Sequence, residues 1–126
     1  MSCVFCDIIV GKEPAEIVKR WNDAIAFVPL NPVVDGHVIV IPTTHVRDFT
    51  VNPVVSAKTM KAAAELAVAP SNIITSAGVE ATQSVFHLNI HIVPRKENDK
   101  LALPWDSGRR RRAVKPDSEV EESVSD

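Results

Sequence analysis

The residues best equipped for chemistry lie close together in QSVFHLNIHIVPR, residues 83–95. Side chains alternate along a strand, so this stretch would send His87, Asn89, His91 and Val93 to one face and Phe86, Leu88, Ile90 and Ile92 to the other. Neighbours on one face sit about 6.5 Å apart, so three of them span a couple of linked phosphates. A phosphate site and a half-buried ladder of surface histidines both fit this pattern. A second reactive pair, Cys3 and Cys6, forms a C-x-x-C at the start of the chain. In a reducing compartment that spacing suggests a metal or redox pair more than a structural disulfide. A thioredoxin-like redox motif would sit between a strand and a helix, a setting this N-terminus does not resemble.

The elements that must hold these residues can be read from pattern and punctuation. Residues 5–10 suggest a brief helical turn, followed by a loop containing Gly11 and Pro14. Residues 16–21 and 24–28 flank Asn22 and Asp23, a good turn pair, and predict a hairpin. A proline-rich loop over 29–36 leads into the β-branched run 37–42, expected to be a central strand halted by Pro42. Residues 54–69 favour a helix with Val55, Met60, Ala63, Ala64 and Ala67 roughly on one side, stopped by Pro70. Residues 71–76 and 84–93 are the remaining expected strands, with a loop over 77–82. A sheet plus one main helix predicts an α+β domain.

Composition narrows the function. A chain of 126 residues, 45% hydrophobic, suits one domain with a modest core. A formal net charge of −2 argues against a dedicated nucleic-acid binder, since affinity for a phosphate backbone normally needs a basic surface. No apolar run is long enough for a membrane span and no secretory leader pattern opens the chain, so the expected location is cytoplasmic. Beyond about Asp106 the composition shifts to Arg109–Arg112 and then an acidic segment, so 1–108 is read as the domain and 109–126 as a disordered charged tail. The arginine run could be a nucleic-acid patch, but the acidic segment beside it can neutralise it.

Several stretches, in order, resemble the histidine triad (HIT) family of nucleotide-binding hydrolases and transferases. Residues 83–95 resemble its signature, His-apolar-His-apolar-His, with His87 at the first position, His91 at the third and Asn89 where the family has its central histidine. Residues 3–8 (Cys-x-Phe-Cys-x-Ile) resemble a bacterial opening of the family, residues 27–32 with 36–45 its central hairpin, and Leu103-Pro104-Trp105 its tryptophan-bearing turn. The resemblance implies a HIT-like fold whose antiparallel sheet is joined across a homodimer, with the main helices packed at the dyad. It also implies a purine-nucleotide ligand.

The family's central histidine attacks an α-phosphate to give a nucleotidyl-histidine, which water or another acceptor cleaves. Asn89 cannot do this, because an amide nitrogen has no available lone pair. Its NH₂ can still keep the structural hydrogen bond of the missing ring. Two origins stay open: an engineered replacement that leaves a substrate-trapping form, or the native residue of a non-catalytic nucleotide-binding or sensor protein. By resemblance, His91 donates to phosphate oxygens, Ser84 and Gln83 contact the phosphate or leaving group, and Ser76 stands where relatives often have Asn or Gln. Asn31 and His37 would line the nucleoside side, and Phe5, Ile8, Phe27 and Leu30 would either sandwich a base or serve as core. Cys3, Cys6, His45 and His87 match a structural Cys₂His₂ zinc site of bacterial relatives; the alternative is two reduced thiols and two histidines that orient the active site.

Overall fold

The computed structural model describes residues 2–103. A short helix α1 (Val4–Ile9) precedes the hairpin β1 (Glu16–Arg20) and β2 (Ala24–Val28). Then follow β3 (Val38–Pro42), the main helix α2 (Pro53–Leu66), β4 (Ser71–Ile74), a 3₁₀ turn (Val79–Ala81) and β5 (Ile90–Pro94). The strands form one five-stranded antiparallel sheet in the order β1, β2, β3, β5, β4. The fold is thus α+β, as expected. Trp105, Arg109–Arg112 and the acidic tail lie outside the described residues.

Alternation along the strands divides the interior into two layers. Ala24, Ala26, Val40, Ile90 and Ile92 pack with Leu88 against Ala62 and Ala63 of α2. Alanines on both the sheet and the helix let the two backbones approach closely. On the opposite face Ile25, Phe27, Ile39 and Ile41 pack with Phe5 and Ile8 of α1. The helix α2 starts where Asn52 accepts hydrogen bonds from the backbone N–H groups of Val54 and Val55, at 3.1 and 3.3 Å, with Pro53 as its first residue.

Three expectations need correction. The main helix stops at Leu66 rather than 69, because residue 69 precedes Pro70 and the chain has already turned extended at Ala67. Its inward row is Val55, Thr59, Ala62, Ala63 and Leu66, and Met60 is 41% exposed. Thr59 can be buried because its hydroxyl donates to the Val55 carbonyl at 2.8 Å. The last strand begins at Ile90 rather than 84. Residues 87 and 88 are bonded outside the strand ladder: Leu88 N–H donates to Val46 O at 2.7 Å and the His87 side chain, through Nε2, pairs with Pro42 O at the end of β3 at 2.9 Å. The apolar half of the predicted alternation survives, with Leu88, Ile90 and Ile92 all facing α2, while His87 and His91 serve different sites.

Leu88 is fully buried at this junction. Truncation of Leu88 to Ala should cost about 2–5 kcal/mol, read as a lower urea midpoint with an unchanged slope; a loss below about 0.5 kcal/mol would show that the segment is not packed as described.

Candidate functional site

His91 lies in mid-sheet, paired in register with Ile39 of β3 and Ile74 of β4. These two apolar neighbours flank it on the α1 face. The face opens there into a cleft of about 420 Å³, walled by Phe5, Ile39, Ile74 and Val85, with His91, Asn89, Ser84 and Ser76 among its polar groups. The serine hydroxyls have no protein partner among the described residues. Burial lowers the proton affinity of His91, and the nearby charge of a protonated His37 lowers it further. His37 is lowered by burial as well. Near neutral pH both rings are uncharged. His37 Nε2 lies 2.9 Å from His91 Nδ1, and Val33 N–H donates to His37 Nδ1 at 3.1 Å.

Asn89 is held from several sides. Its Nδ2 donates to His87 O at 2.8 Å and, more weakly, to Val85 O at 3.4 Å, while Thr75 Oγ1 donates to the Asn89 carbonyl at 2.6 Å. Only Oδ1 remains for the cleft, as an acceptor. Gln83 also borders the cleft, but its amide is occupied: Nε2 donates to Arg47 O at 2.8 Å and Oε1 accepts from Gly78 N–H at 2.8 Å. Gln83 therefore braces two loops instead of offering a free donor. The far end is closed by Arg95, which donates to Asp99 Oδ2 at 2.7 Å, Asn72 Oδ1 at 2.6 Å and Leu101 O at 2.7 Å. That guanidinium, with the backbone N–H groups of Leu101 and Lys96, holds the Asp99 carboxyl well below the usual carboxylate range.

Beside the cleft, Cys3, Cys6, His45 and His87 place one ligand atom each within 4.8 Å of one another. Zn–S and Zn–N distances of about 2.3 and 2.0–2.1 Å at tetrahedral angles put ligand atoms roughly 3.3–3.8 Å apart. Here Cys3 Sγ lies 3.4 Å and Cys6 Sγ 3.6 Å from His87 Nδ1, Cys6 Sγ lies 3.3 Å from His45 Nδ1, and the two Nδ1 atoms are 3.1 Å apart. The donor set fits a zinc ion. His87 is also prepared for it: Nε2 pairs with the Pro42 carbonyl, which leaves the Nδ1 lone pair for the cluster. Burial, the nearby Cys3 thiol and Asp7 raise the Cys6 thiol. A divalent cation would reverse that preference.

The cleft thus gathers Phe5, His37, Ser76, Gln83, Ser84, Asn89 and His91 from the residues singled out in the sequence. It does not gather the five others expected at the catalytic or nucleotide site. Ile8 and Phe27 are buried in the core, the Phe27 ring packed edge to face with Phe5 at 5.4 Å. Leu30 is 94% exposed and Asn31 is exposed beside it, on the loop before β3. His87 belongs to the thiol and imidazole cluster. Ile39 and Ile74 were missed as site residues; the signal for them is strand order, which makes them the neighbours of His91.

The HIT domain profile matches residues 10–98. An uncharacterized HIT-like protein of Mycoplasma genitalium is 38% identical over 108 residues, covering 79% of this chain and 77% of that protein. The adenylylsulfatase HINT3 of Arabidopsis thaliana is 35% identical over 134 residues, 98% of this chain and 66% of that protein. Among solved structures, a zinc-bound histidine triad family protein from Mycobacterium smegmatis superposes with a TM-score of 0.72 at 35% identity, covering 81% of each chain. A HIT family hydrolase from Clostridium thermocellum gives 0.70 at 31% identity, over 81% of this chain and 97% of that one.

Two outcomes follow from the site. Protein exchanged into zinc should retain one equivalent per chain through gel filtration, measured by elemental analysis, and the Cys3→Ser, Cys6→Ser double variant should lose it; retention by that variant would place the metal elsewhere. His37 and His91 have folded proton affinities below the ordinary value of 6.5, so the unfolded chain takes up protons first as pH falls. Metal-free protein should therefore keep its full stability above about pH 6.5 and lose it below, seen as a falling Tm between pH 7.5 and 5.5. Replacing both rings by Phe should lessen that slope and leave the part contributed by His87, which burial also lowers.

Proposed function

The chain belongs to the HIT domain family, and on that premise we propose that it binds the phosphate of a purine nucleotide in the His91 cleft without forming a covalent nucleotidyl intermediate. Its parentage is that of a hydrolase or nucleotidyl transferase, acting at the α-phosphate of a nucleotide conjugate such as a phosphoramidate, an acyl-adenylate or a dinucleoside polyphosphate. The relative named an adenylylsulfatase supports a nucleotide conjugate as the ligand class. The observation that carries the reading is the pairing of the Asn89 amide. With Nδ2 on His87 O, the central position presents only a carbonyl oxygen, and an amide oxygen is no nucleophile toward phosphorus at neutral pH. The hydroxyls of Ser84 and Ser76 and an imidazole edge from His91 remain to receive the anion.

When bound, a zinc ion would act structurally, since all four positions are taken by protein. The residues that hold it are Cys3, Cys6, His45 and His87, and His87 passes the restraint on to Asn89 through its carbonyl. The free thiols face imidazoles and suit a reducing compartment, the cytoplasm. No described helix is long and apolar enough to cross a membrane. The outward row of α2, Ala57, Met60 and Ala64, is exposed and apolar, and supports a homodimer packed helix to helix.

A second reading, a native nucleotide sensor of the same fold, is favoured by how completely the Asn89 amide is accommodated. Calorimetry with AMP and GMP, paired with hydrolysis of a nucleoside phosphoramidate and a dinucleoside polyphosphate, separates the two. In the trapped-enzyme reading this chain binds, and Asn89→His turns over faster by about 10⁴-fold or more, by analogy with nucleophile removal elsewhere. Binding by both with turnover by neither would transfer the assignment to the sensor, and no binding by either would reject the phosphate cleft.

A further inference from the structure

The four residues of the thiol and imidazole cluster differ in what they face. His87 is sealed, with no exposed surface. Cys3 and Cys6 are half-buried and His45 is exposed, and all three line an open groove of about 1180 Å³ beside the cleft, with Ser84 and Val85 on the rim the two share. Small solutes in that groove reach both sulfurs. Oxidation of a cysteine follows its thiolate character and its access. Metal coordination deprotonates a thiol, and the groove supplies the access.

The two sulfurs are also placed to join each other. Cys3 caps α1 and Cys6 lies one turn on, with Cys6 N–H donating to Cys3 Sγ at 3.3 Å and Asp7 N–H to the Cys3 carbonyl at 3.0 Å. Residues three apart in such a closed turn have Cα atoms about 5 Å apart, inside the roughly 4.4–6.8 Å that a disulfide spans. Their sulfurs lie within 4.8 Å of each other, so rotation of the two side chains brings them together. The chain has no third cysteine to compete.

We propose that Cys3 and Cys6 form an oxidation site at which a peroxide converts the two metal-bound thiolates into a disulfide, emptying the zinc cluster and loosening the α1 wall of the cleft. One thiolate attacks a peroxide oxygen: an S–O bond forms, the O–O bond breaks, and the departing hydroxide takes a proton to become water. The second thiolate attacks that sulfur: the S–S bond forms, the S–O bond breaks, and the second hydroxide also leaves as water after taking a proton. Each sulfur gives up one electron, the peroxide gains two, and the metal stays divalent. What remains is Nδ1 of His45 and Nδ1 of His87, 3.1 Å apart, two neutral donors where four ligands carried two negative charges. The helix α1, which brings Phe5 to the cleft, is then no longer tied through the cluster to His87 and so to Asn89. Only this effect on a ligand rests on the phosphate reading. Thiol reductants of a reducing compartment would reverse the disulfide.

The test titrates the full zinc-loaded chain with hydrogen peroxide at neutral pH, reading released zinc with a chromogenic chelator, thiols after denaturation, and intact mass. One zinc and two thiols per chain should be lost in parallel, with a mass lower by two hydrogens and no covalent dimer, and dithiothreitol followed by zinc should restore both. AMP affinity of the oxidised chain should fall about fivefold or more, the usual range for two coupled sites. Thiols that survive excess peroxide with the zinc retained overturn the proposal, as does a sulfur that gains oxygen atoms without forming the disulfide. Unchanged AMP affinity after complete oxidation overturns the link to the cleft. If the reduced chain does not bind AMP, the phosphate reading fails by itself, and the zinc and thiol counts still decide the oxidation site.

Discussion

A buried imidazole must satisfy two nitrogens with opposite needs, and His87 does so in a way that organises its surroundings. Its Nε2 pairs with the carbonyl at the end of β3, and its Nδ1 looks into a group of two thiols and a second imidazole. The ring has no exposed surface, so neither pairing can be replaced by water. One residue thereby ties α1, the exit of β3 and the approach to β5 together. The carbonyl of the same residue receives the Asn89 amide. Restraint at the cluster becomes restraint at the cleft through one residue's backbone.

The cleft itself works with neutral dipoles. Its imidazoles are kept uncharged by burial, and its strongest cation, Arg95, is engaged by Asp99, Asn72 and Leu101 in bracing the end wall. An anion entering this space would meet neutral hydroxyl and imidazole groups at short range, and the one cation among the described residues that line it, Arg95, is already engaged. This fits a chain of net charge −2, whose overall field would not draw in polyanions.

The parts of this arrangement that obey a period were legible in the sequence. The hairpin around Asn22 and Asp23, the β3 run and the apolar face of Leu88, Ile90 and Ile92 all follow from alternation. What failed to show was decided by single hydrogen bonds. The Pro42 carbonyl and the Val46 carbonyl draw residues 87 and 88 out of strand geometry, and no pattern of side-chain types announces that. Thr59 was hidden because a hydroxyl satisfied by its own helix behaves as a core group. Ile8 and Phe27 were ambiguous by type, and only the folded arrangement, in which Phe5 lines the cleft and Phe27 is buried behind the surface, separates them. The four cluster residues came from resemblance; C-x-x-C alone leaves redox and metal roles open, and the two histidines lie far away in sequence.

Asparagine at position 89 can be understood from what the alternatives would do. Alanine would leave the His87 carbonyl without its 2.8 Å partner in a half-buried place, at a cost of about 1–3 kcal/mol. Aspartate would set lone pairs against that carbonyl and put a negative charge into the cleft. Glutamine has the right group on a side chain one carbon too long to fold back onto its own strand. Asparagine keeps a donor on His87 O, adds no charge and leaves a carbonyl oxygen toward the cleft. Asparagine thus keeps the bonds that hold residues 87–89 in place with a side chain that carries no nucleophile.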